Sequence, residues 1–194
     1  MLANDLYARI ICAKIVPKIH RYVLILVSKC LIRWIMAISA EEFKQSLRYW
    51  ASGIAVVTTK PKGKDALGMT VSSFASVSLE PPQILVCLNH SAETGNGIQE
   101  SGFFAVNVLT SEQESVSNDF SGAHSMQQRF ASNSWSFGDS GVPLLDNSLT
   151  SLECKVVQQI KAGTHWIIVG EVGHVICRSG SPLLYFDSGY HHLA

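Results

Sequence analysis

The chain has 194 residues, 47% of them hydrophobic, which is enough for one domain of roughly 150 residues with a sizeable core, plus an extension. Lys and Arg number 15 together, as do Asp and Glu, so the formal net charge is zero and charged residues make up only 15% of the chain. A neutral, weakly charged chain carries no electrostatic footprint for nucleic acid, and low surface charge is compatible with a face hidden in an oligomer.

Residues 1–35 differ from the rest. They are apolar and basic, with Arg9, Lys14, Lys18, Arg21, Lys29 and Arg33 against Asp5. The uncharged run 22–28 is well short of the about 20 residues needed to span a bilayer, and no A-x-A-like cleavage site follows an apolar core. The segment reads as an amphipathic membrane-surface helix, a targeting peptide, or translated sequence upstream of a start at Met36.

Ser39 with Glu42 three residues later is a capping box, which starts a helix carrying Phe43, Leu47 and Trp50 along one side and ending at Gly53. Residues 54–60 are β-branched and apolar, hence a buried strand, and Pro61-Lys62-Gly63-Lys64-Asp65 is a hairpin turn into Leu67 and Met69. The most informative stretch follows, GMTVSSFASVSLEPPQILVCL at 68–88. It opens on a hydroxyl-rich loop at 70–73, alternates through Phe74 to Ser78, breaks at Pro81-Pro82 and resumes as an apolar run at 84–88. That is strand, turn, strand. Thr70, Ser72, Ser73, Ser76 and Ser78 are short donors and acceptors that suit a wall against a flat polar ligand, or equally the solvated face of an ordinary strand.

Residues 89–95 form a polar loop ahead of a short helix at 98–101. Ser and Thr running into a helix start can cradle a phosphate, or simply cap the helix. A strand at 103–109, a helix at 112–120 capped by Ser111 or Thr110, a loop at 122–128 and a polar loop at 132–141 come next. The strand 149–160 turns at Lys161-Ala162-Gly163 into 166–178, the longest β run, and 179–182 leads to a last strand at 183–186. Many short strands with Gly and Pro turns and a few helices argue for a β-barrel with attached helices.

The five cysteines, Cys12, Cys30, Cys87, Cys154 and Cys177, show no CxxC spacing, so neither a metal site nor a disulfide framework has support. Cys87 and Cys154 fall in apolar strand-like runs as small core residues, which fits a reducing compartment. The chain contains no G-x-S-x-G elbow, no H-E-x-x-H, no G-x-x-x-x-G-K-[ST] loop and no G-x-G-x-x-G turn. A nicotinamide cofactor would therefore not be held by a dedicated dinucleotide fold.

The stretch at 68–88, preceded by GIAVVTT at 53–59, resembles the flavin reductase-like family. Collinear matches continue through ESGFFAVNVL at 100–109, F-x-G at 120–122, RFA at 129–131, GTHWIIVGEV at 163–172 and PLLYF at 182–186. The resemblance runs from about Phe43 to the C-terminus. Because family members begin near Met36, it favours upstream translation for 1–35, with 36–194 as the domain. It implies a mainly β fold with a few helices, an FMN-binding split β-barrel, in which FMN or FAD takes a hydride from NADH or NADPH. It also implies a cytoplasmic homodimer, with flavin sites near the subunit interface, that supplies reduced flavin to a separate monooxygenase. Membrane association is not expected unless residues 1–35 are part of the expressed protein.

Carried over by motif, Thr70, Val71, Ser72, Ser73 and Phe74 would line the isoalloxazine, and Ser76 and Val77 would continue that wall. Cys87, Leu88 and Asn89 would sit at the ribityl chain, and Ser91 and Thr94 at the phosphate. Gly122, Ala123 and Arg129 are candidates for the flavin tail, with Arg129 otherwise a solvated surface arginine. His165, at a strand start after a glycine turn, would meet the nicotinamide, with Tyr185, Phe186, Asp187 and Ser188 on the same side. Without the resemblance His165 reads as structural, and His191 and His192 as a frayed end. Two departures stand out: Glu93 in the phosphate loop, and Asp187 where relatives commonly carry arginine. Two rivals remain. One is a flavin-binding electron carrier without turnover; the other is a pyridoxine phosphate oxidase-type barrel, which needs more cleft cations than these segments offer.

Overall fold

The computed structural model describes residues 38–193, so the extension read at 1–35 lies outside the described residues. The chain divides into two compact units, Met1–Leu47 and Arg48–Ala194. In the first, helix α1 (Ala40–Leu47) is started by the expected capping box. The Glu42 amide donates to Ser39 Oγ at 3.1 Å, and the Ser39 amide donates to Glu42 Oε2 at 2.8 Å. Those amide and hydroxyl bonds from Ser39 hold the Glu42 carboxyl below its ordinary value. The helix stops at Leu47, so Trp50 lies beyond it and Gly53 belongs to a short strand.

The second unit is mainly β. It runs β1 (Ser52–Gly53), β2 (Ala55–Thr59), β3 (Leu67–Val71), β4 (Ala75–Leu79), β5 (Pro82–Asn89), α2 (Glu93–Ser101) and β6 (Phe103–Val108). Then come α3 (Glu114–Asn118), a π-helical turn (Asp119–Ala123), α4 (Met126–Ala131), β7 (Trp135–Phe137) and β8 (Pro143–Leu145). The long pair β9 (Thr150–Ala162) and β10 (His165–Cys177) leads to the terminal hairpin β11 (Leu184–Phe186) and β12 (Gly189–His191).

A seven-stranded antiparallel sheet has the order β3-β2-β6-β9-β10-β5-β4. It curls until β3 packs beside β5 without a ladder between them, which leaves a split in the barrel wall. β1, β11 and β12 form a small second sheet, and β7 pairs with β8. The curl explains why β2 reads as a continuous apolar run: Val57 faces one core with Val86, Phe104 and Ile168, and Val56 faces another with Leu109, Phe120 and Leu183. Asn107, fully buried on β6, ties the layers together. Its amide donates to the Val56 carbonyl at 3.1 Å and to Thr58 Oγ1 at 3.3 Å. Its oxygen accepts from the Leu145 amide and from Ser151 Oγ, both at 2.9 Å. On β10, Gly170 is required by close packing, since a Cβ there would stand 2.5 Å from Phe104 Cζ.

Candidate functional site

The split in the wall gathers the ends of β3, β4 and β5. Thr70 and Val71 complete β3 rather than opening a loop. The Thr70 hydroxyl donates to the Ser117 carbonyl at 2.7 Å. Ser73 Oγ donates to the Cys87 carbonyl at 2.7 Å and accepts the Cys87 amide at 3.2 Å, two residues beyond the end of the β4–β5 ladder at Ala75 and Leu85. Two hydroxyls expected to face a ligand are thus engaged with backbone. Val71 and Leu88 are core residues, and Phe74 packs against the same core. Ser72, Ser76 and Val77 are the ones that point outward. Burial pushes the Cys87 thiol up, so it remains protonated at neutral pH.

At the end of β5, Asn89 stands opposite His165 in the β5–β10 register. Asn89 Oδ1 accepts the Ser91 amide at 3.0 Å and the Ser91 hydroxyl at 2.8 Å, a closed Asx turn. The exposed His165 ring approaches Thr164 Oγ1 through Nδ1 at 2.9 Å. The helix read at 98–101 begins earlier, at Glu93, and its N-cap is Ala92 with no side-chain cap. Neither Ser91 nor Thr94 serves as the cap, so the first-turn amides have no side-chain acceptor there.

Thr94, only 2% exposed, lines a cleft of about 450 Å³ with Gly68, Met69, Gly122 and Arg129. Arg129 is half-buried and donates through Nε to the His124 carbonyl at 2.7 Å, so it is a positioned cation rather than a solvated one. Glu93 is exposed on the rim of the same cleft, the side open to water. Gly122 takes φ 117° in the π turn, a conformation that favours glycine. The expected loop at 122–128 instead contains α4, whose capping box, Ser125 with Gln128, is the S-x-x-Q signal of a helix start. Gly68 forms the cleft floor, because a Cβ there would stand 2.8 Å from Phe120 Cε1.

The C-terminal hairpin reaches the site through residues not singled out in the sequence. The Tyr190 hydroxyl pairs with Ser117 Oγ at 2.8 Å and donates to Asn118 Oδ1 at 3.2 Å, and the Tyr185 ring lies edge-on 5.5 Å away. Thr70, Ser117, Tyr190 and Tyr185 are therefore one connected cluster. Asp187 (φ 44°) and Ser188 (φ 65°) form the left-handed turn between β11 and β12. Arg48 secures that turn: its carbonyl accepts the Asp187 amide at 2.9 Å, and its Nε donates to Ser188 Oγ at 2.8 Å. The guanidinium thus bonds Ser188, while Asp187 meets only the Arg48 backbone. Phe186 is exposed, 5.9 Å from the His191 ring. Among the described residues no hydrogen bond joins His165 to the hairpin.

With this geometry in hand, residues 47–194 match the flavin reductase like domain. The chain belongs to that family. The curled antiparallel sheet is accordingly its split barrel, and the chain is an oxidoreductase of the flavin reductase kind. It is 39% identical over 160 residues to the FMN reductase (NADH) RutF of Pseudomonas syringae pv. syringae (strain B728a), covering 82% of this chain and 89% of the relative. The structure of flavin reductase PheA2 in its native state superposes with a TM-score of 0.74 at 31% identity, covering 81% of this chain and 99% of that one. BorF, the flavin reductase component of a bacterial two-component tryptophan halogenase, gives a TM-score of 0.74 at 30% identity, with 80% and 98% covered.

Proposed function

We infer that this flavin reductase uses NADH to reduce FMN or FAD and releases the reduced flavin to a separate monooxygenase component. The observation that carries the reading is the cleft that Thr94, Gly68, Met69, Gly122 and Arg129 line at the uncapped start of α2. Those groups fit a flavin. A buried hydroxyl, uncapped helix amides and one anchored guanidinium suit a phosphate, and short side chains suit a flat ring. When bound, the flavin supplies the hydride acceptor, so the protein needs no acid–base pair. Ser72, Ser76 and Val77 keep the wall shallow, Arg129 offsets the phosphate charge, and Glu93 stays on the wet side. His165 donates to the nicotinamide amide or to a cofactor phosphate. Asp187 disfavours a ribose 2′-phosphate by like charge, which together with the NADH-named relative supports NADH over NADPH.

The test is anaerobic bleaching of excess free flavin, FMN and FAD in turn, with NADH or NADPH. Catalytic bleaching with NADH is expected. Bleaching that stops at one equivalent would make the chain an electron carrier. His165→Ala is expected to raise the KM for NADH about ten-fold, the loss of one hydrogen bond to a charged or polar partner, and to leave FMN affinity unchanged. A KM equal to that of the wild type removes His165 from the site.

The reading includes a cytoplasmic homodimer. Val157, Ile160 and Val175 on β9 and β10 are exposed apolar side chains of the kind a subunit interface covers, and sedimentation at twice the chain mass is the expected result. The free thiols Cys87, Cys154 and Cys177 suit a reducing compartment. No helix among the described residues is long and apolar enough to cross a membrane.

A further inference from the structure

Arg129 is held by a closed ring of contacts. Its Nε donates to the His124 carbonyl at 2.7 Å. The His124 imidazole lies beside Asp119, with Nε2 3.5 Å from Oδ1. The other carboxylate oxygen, Oδ2, accepts from Asn133 Nδ2 at 3.5 Å, and the same Nδ2 donates to the Arg129 carbonyl at 2.9 Å. The ring thus runs from the Arg129 side chain through His124, Asp119 and Asn133 back to the Arg129 backbone. His124 and Arg129 both line the cleft that contains Thr94. The two short links end on backbone carbonyls, and neither involves a group that titrates near neutrality. The two long links both end on the Asp119 carboxylate. At such a length a neutral imidazole gives a carboxylate only a weak hydrogen bond, whereas an imidazolium gives it an ion pair. Imidazole is also the side chain that changes charge between about pH 5 and 8.

We propose that His124 is a proton-operated positioning residue for the anionic end of the flavin: as imidazolium it closes the ring on Asp119 and fixes the Arg129 guanidinium in the cleft, and as neutral imidazole it lets the ring open. This rests on the flavin reading above, in which the phosphate meets Thr94 and Arg129. An arginine left free must be ordered by its ligand, which costs about three- to ten-fold in affinity, and an arginine already fixed removes that cost. A proton on His124 and a phosphate in the cleft therefore favour each other. Among the described residues, the charges that face the imidazole come from three elements. Asp119 opens the π turn, Arg129 is the one charge on α4, and Glu93, at the start of α2, lines the same cleft. β3, which packs on the π turn, carries no titratable residue, and α3 carries only Glu114, in its first turn at the end away from Asp119. Asp119 is thus the partner that the imidazolium meets at ion-pair distance.

The test titrates flavin-free protein with FMN and with riboflavin, which lacks the phosphate, by flavin fluorescence between about pH 6 and 8.5. Wild type, His124→Gln, Asp119→Asn and the double variant are compared. The ratio of the two affinities isolates the phosphate. The phosphate loses its second negative charge below about pH 6 in every protein alike, so comparison between proteins cancels that titration. As pH rises across the range, the FMN-to-riboflavin ratio of the wild type is expected to fall about three- to five-fold more than that of His124→Gln, the worth of one half-exposed ion pair. Asp119→Asn flattens the profile in the same way, and the double variant adds nothing to either single. Riboflavin affinity stays at the wild-type value throughout. If one variant does not fold, the other carries the same comparison. A His124→Gln ratio lowered by one factor at every pH gives His124 a merely structural role and overturns the proposal. An Asp119→Asn profile that follows the wild type shows a charge acting without the ring, and overturns it as well. Variants that all track the wild type overturn the ring but leave the phosphate site standing. Wild-type protein that binds riboflavin as tightly as FMN at every pH removes the phosphate from Thr94 and Arg129 and overturns both.

Discussion

Tyr190→Phe removes one oxygen atom and tests whether the C-terminal hairpin is locked to the end of β3. The hydroxyl has two partners, Ser117 Oγ at 2.8 Å and Asn118 Oδ1 at 3.2 Å. Ser117 is fully buried, so its hydroxyl is left without this partner, whereas Asn118 keeps access to water. A buried hydroxyl losing its partner costs about 2 kcal/mol. For a chain of this length that lowers Tm by about 4–8 °C. Ser117→Ala costs less, about 1 kcal/mol, because Tyr190 is only half-buried and keeps Asn118. In the double variant neither group is stranded, so its penalty is expected about 1 kcal/mol below the sum of the singles. Chemical denaturation of the four proteins gives the cycle, and the KM for NADH in Tyr190→Phe reports whether the hairpin residues have shifted. Additive penalties, or a Tyr190→Phe protein as stable as wild type, would show that the 2.8 Å contact contributes no coupling and that the hairpin is held by other means.

The Glu153 carboxylate accepts the Asp139 amide at 3.2 Å and the Ser140 amide at 2.7 Å, along with the Ser140 hydroxyl, so Glu153→Ala strands the loop after β7. A loss of about 3 kcal/mol is expected, read as a Tm lower by about 6–12 °C; a shift below a degree removes the carboxylate as the loop's anchor. Gly170→Ala places a Cβ 2.5 Å from Phe104 Cζ and 2.8 Å from Cys154 Cβ, an overpacking cost of about 1–3 kcal/mol by urea unfolding. A neutral result means β10 can shift. Burial, and then the neighbouring Glu153 charge, push the Cys154 thiol up to about 12. The folded protein thus keeps a proton that the unfolded chain loses in the ordinary cysteine range. This group's stabilisation is whole below that range and is lost as pH rises towards 12, so the urea midpoint should fall above it. Peptide mapping after brief alkylation under mildly alkaline conditions should find exposed Cys177 modified and Cys154 intact; rapid labelling of Cys154 in folded protein contradicts its burial.

The strands were legible because β2 and β6 are buried on both faces and β-branched runs have few other uses. The 53–59, 103–109 and 149–178 readings fall on β2, β6, β9 and β10 with ends displaced by a residue or two. The helices were less so, for a local reason. α2 begins at Glu93 behind Ala92, an N-cap with no capping side chain, so nothing in residues 89–95 marks the start. The turn before α4 contains Gly122, which reads as a break, although Ser125 and Gln128 carry the capping box three residues further on. The chain after Leu47 leaves the helix with no glycine or proline until Gly53, so the apolar spacing to Trp50 continued a helix that hydrogen bonding does not.

At the site, residue type alone could not tell a ligand-facing hydroxyl from one spent on the barrel. Thr70 and Ser73 have the same chemistry as Ser72 and Ser76, yet the first two are spent on the Ser117 and Cys87 backbone. The ends of neighbouring elements explain the division. In the last turn of α3 and beyond the end of the β4–β5 ladder, backbone groups need side-chain partners, and short hydroxyls reach them. The hydroxyl-rich stretch therefore serves two ends with one composition: Thr70 and Ser73 satisfy backbone groups, and Ser72 and Ser76 remain outward. Arg48, Ser117 and Tyr190 stayed hidden for the complementary reason. Each acts through a contact between elements far apart in sequence, Arg48 with Ser188 and Ser117 with Tyr190, and no local pattern encodes such a meeting.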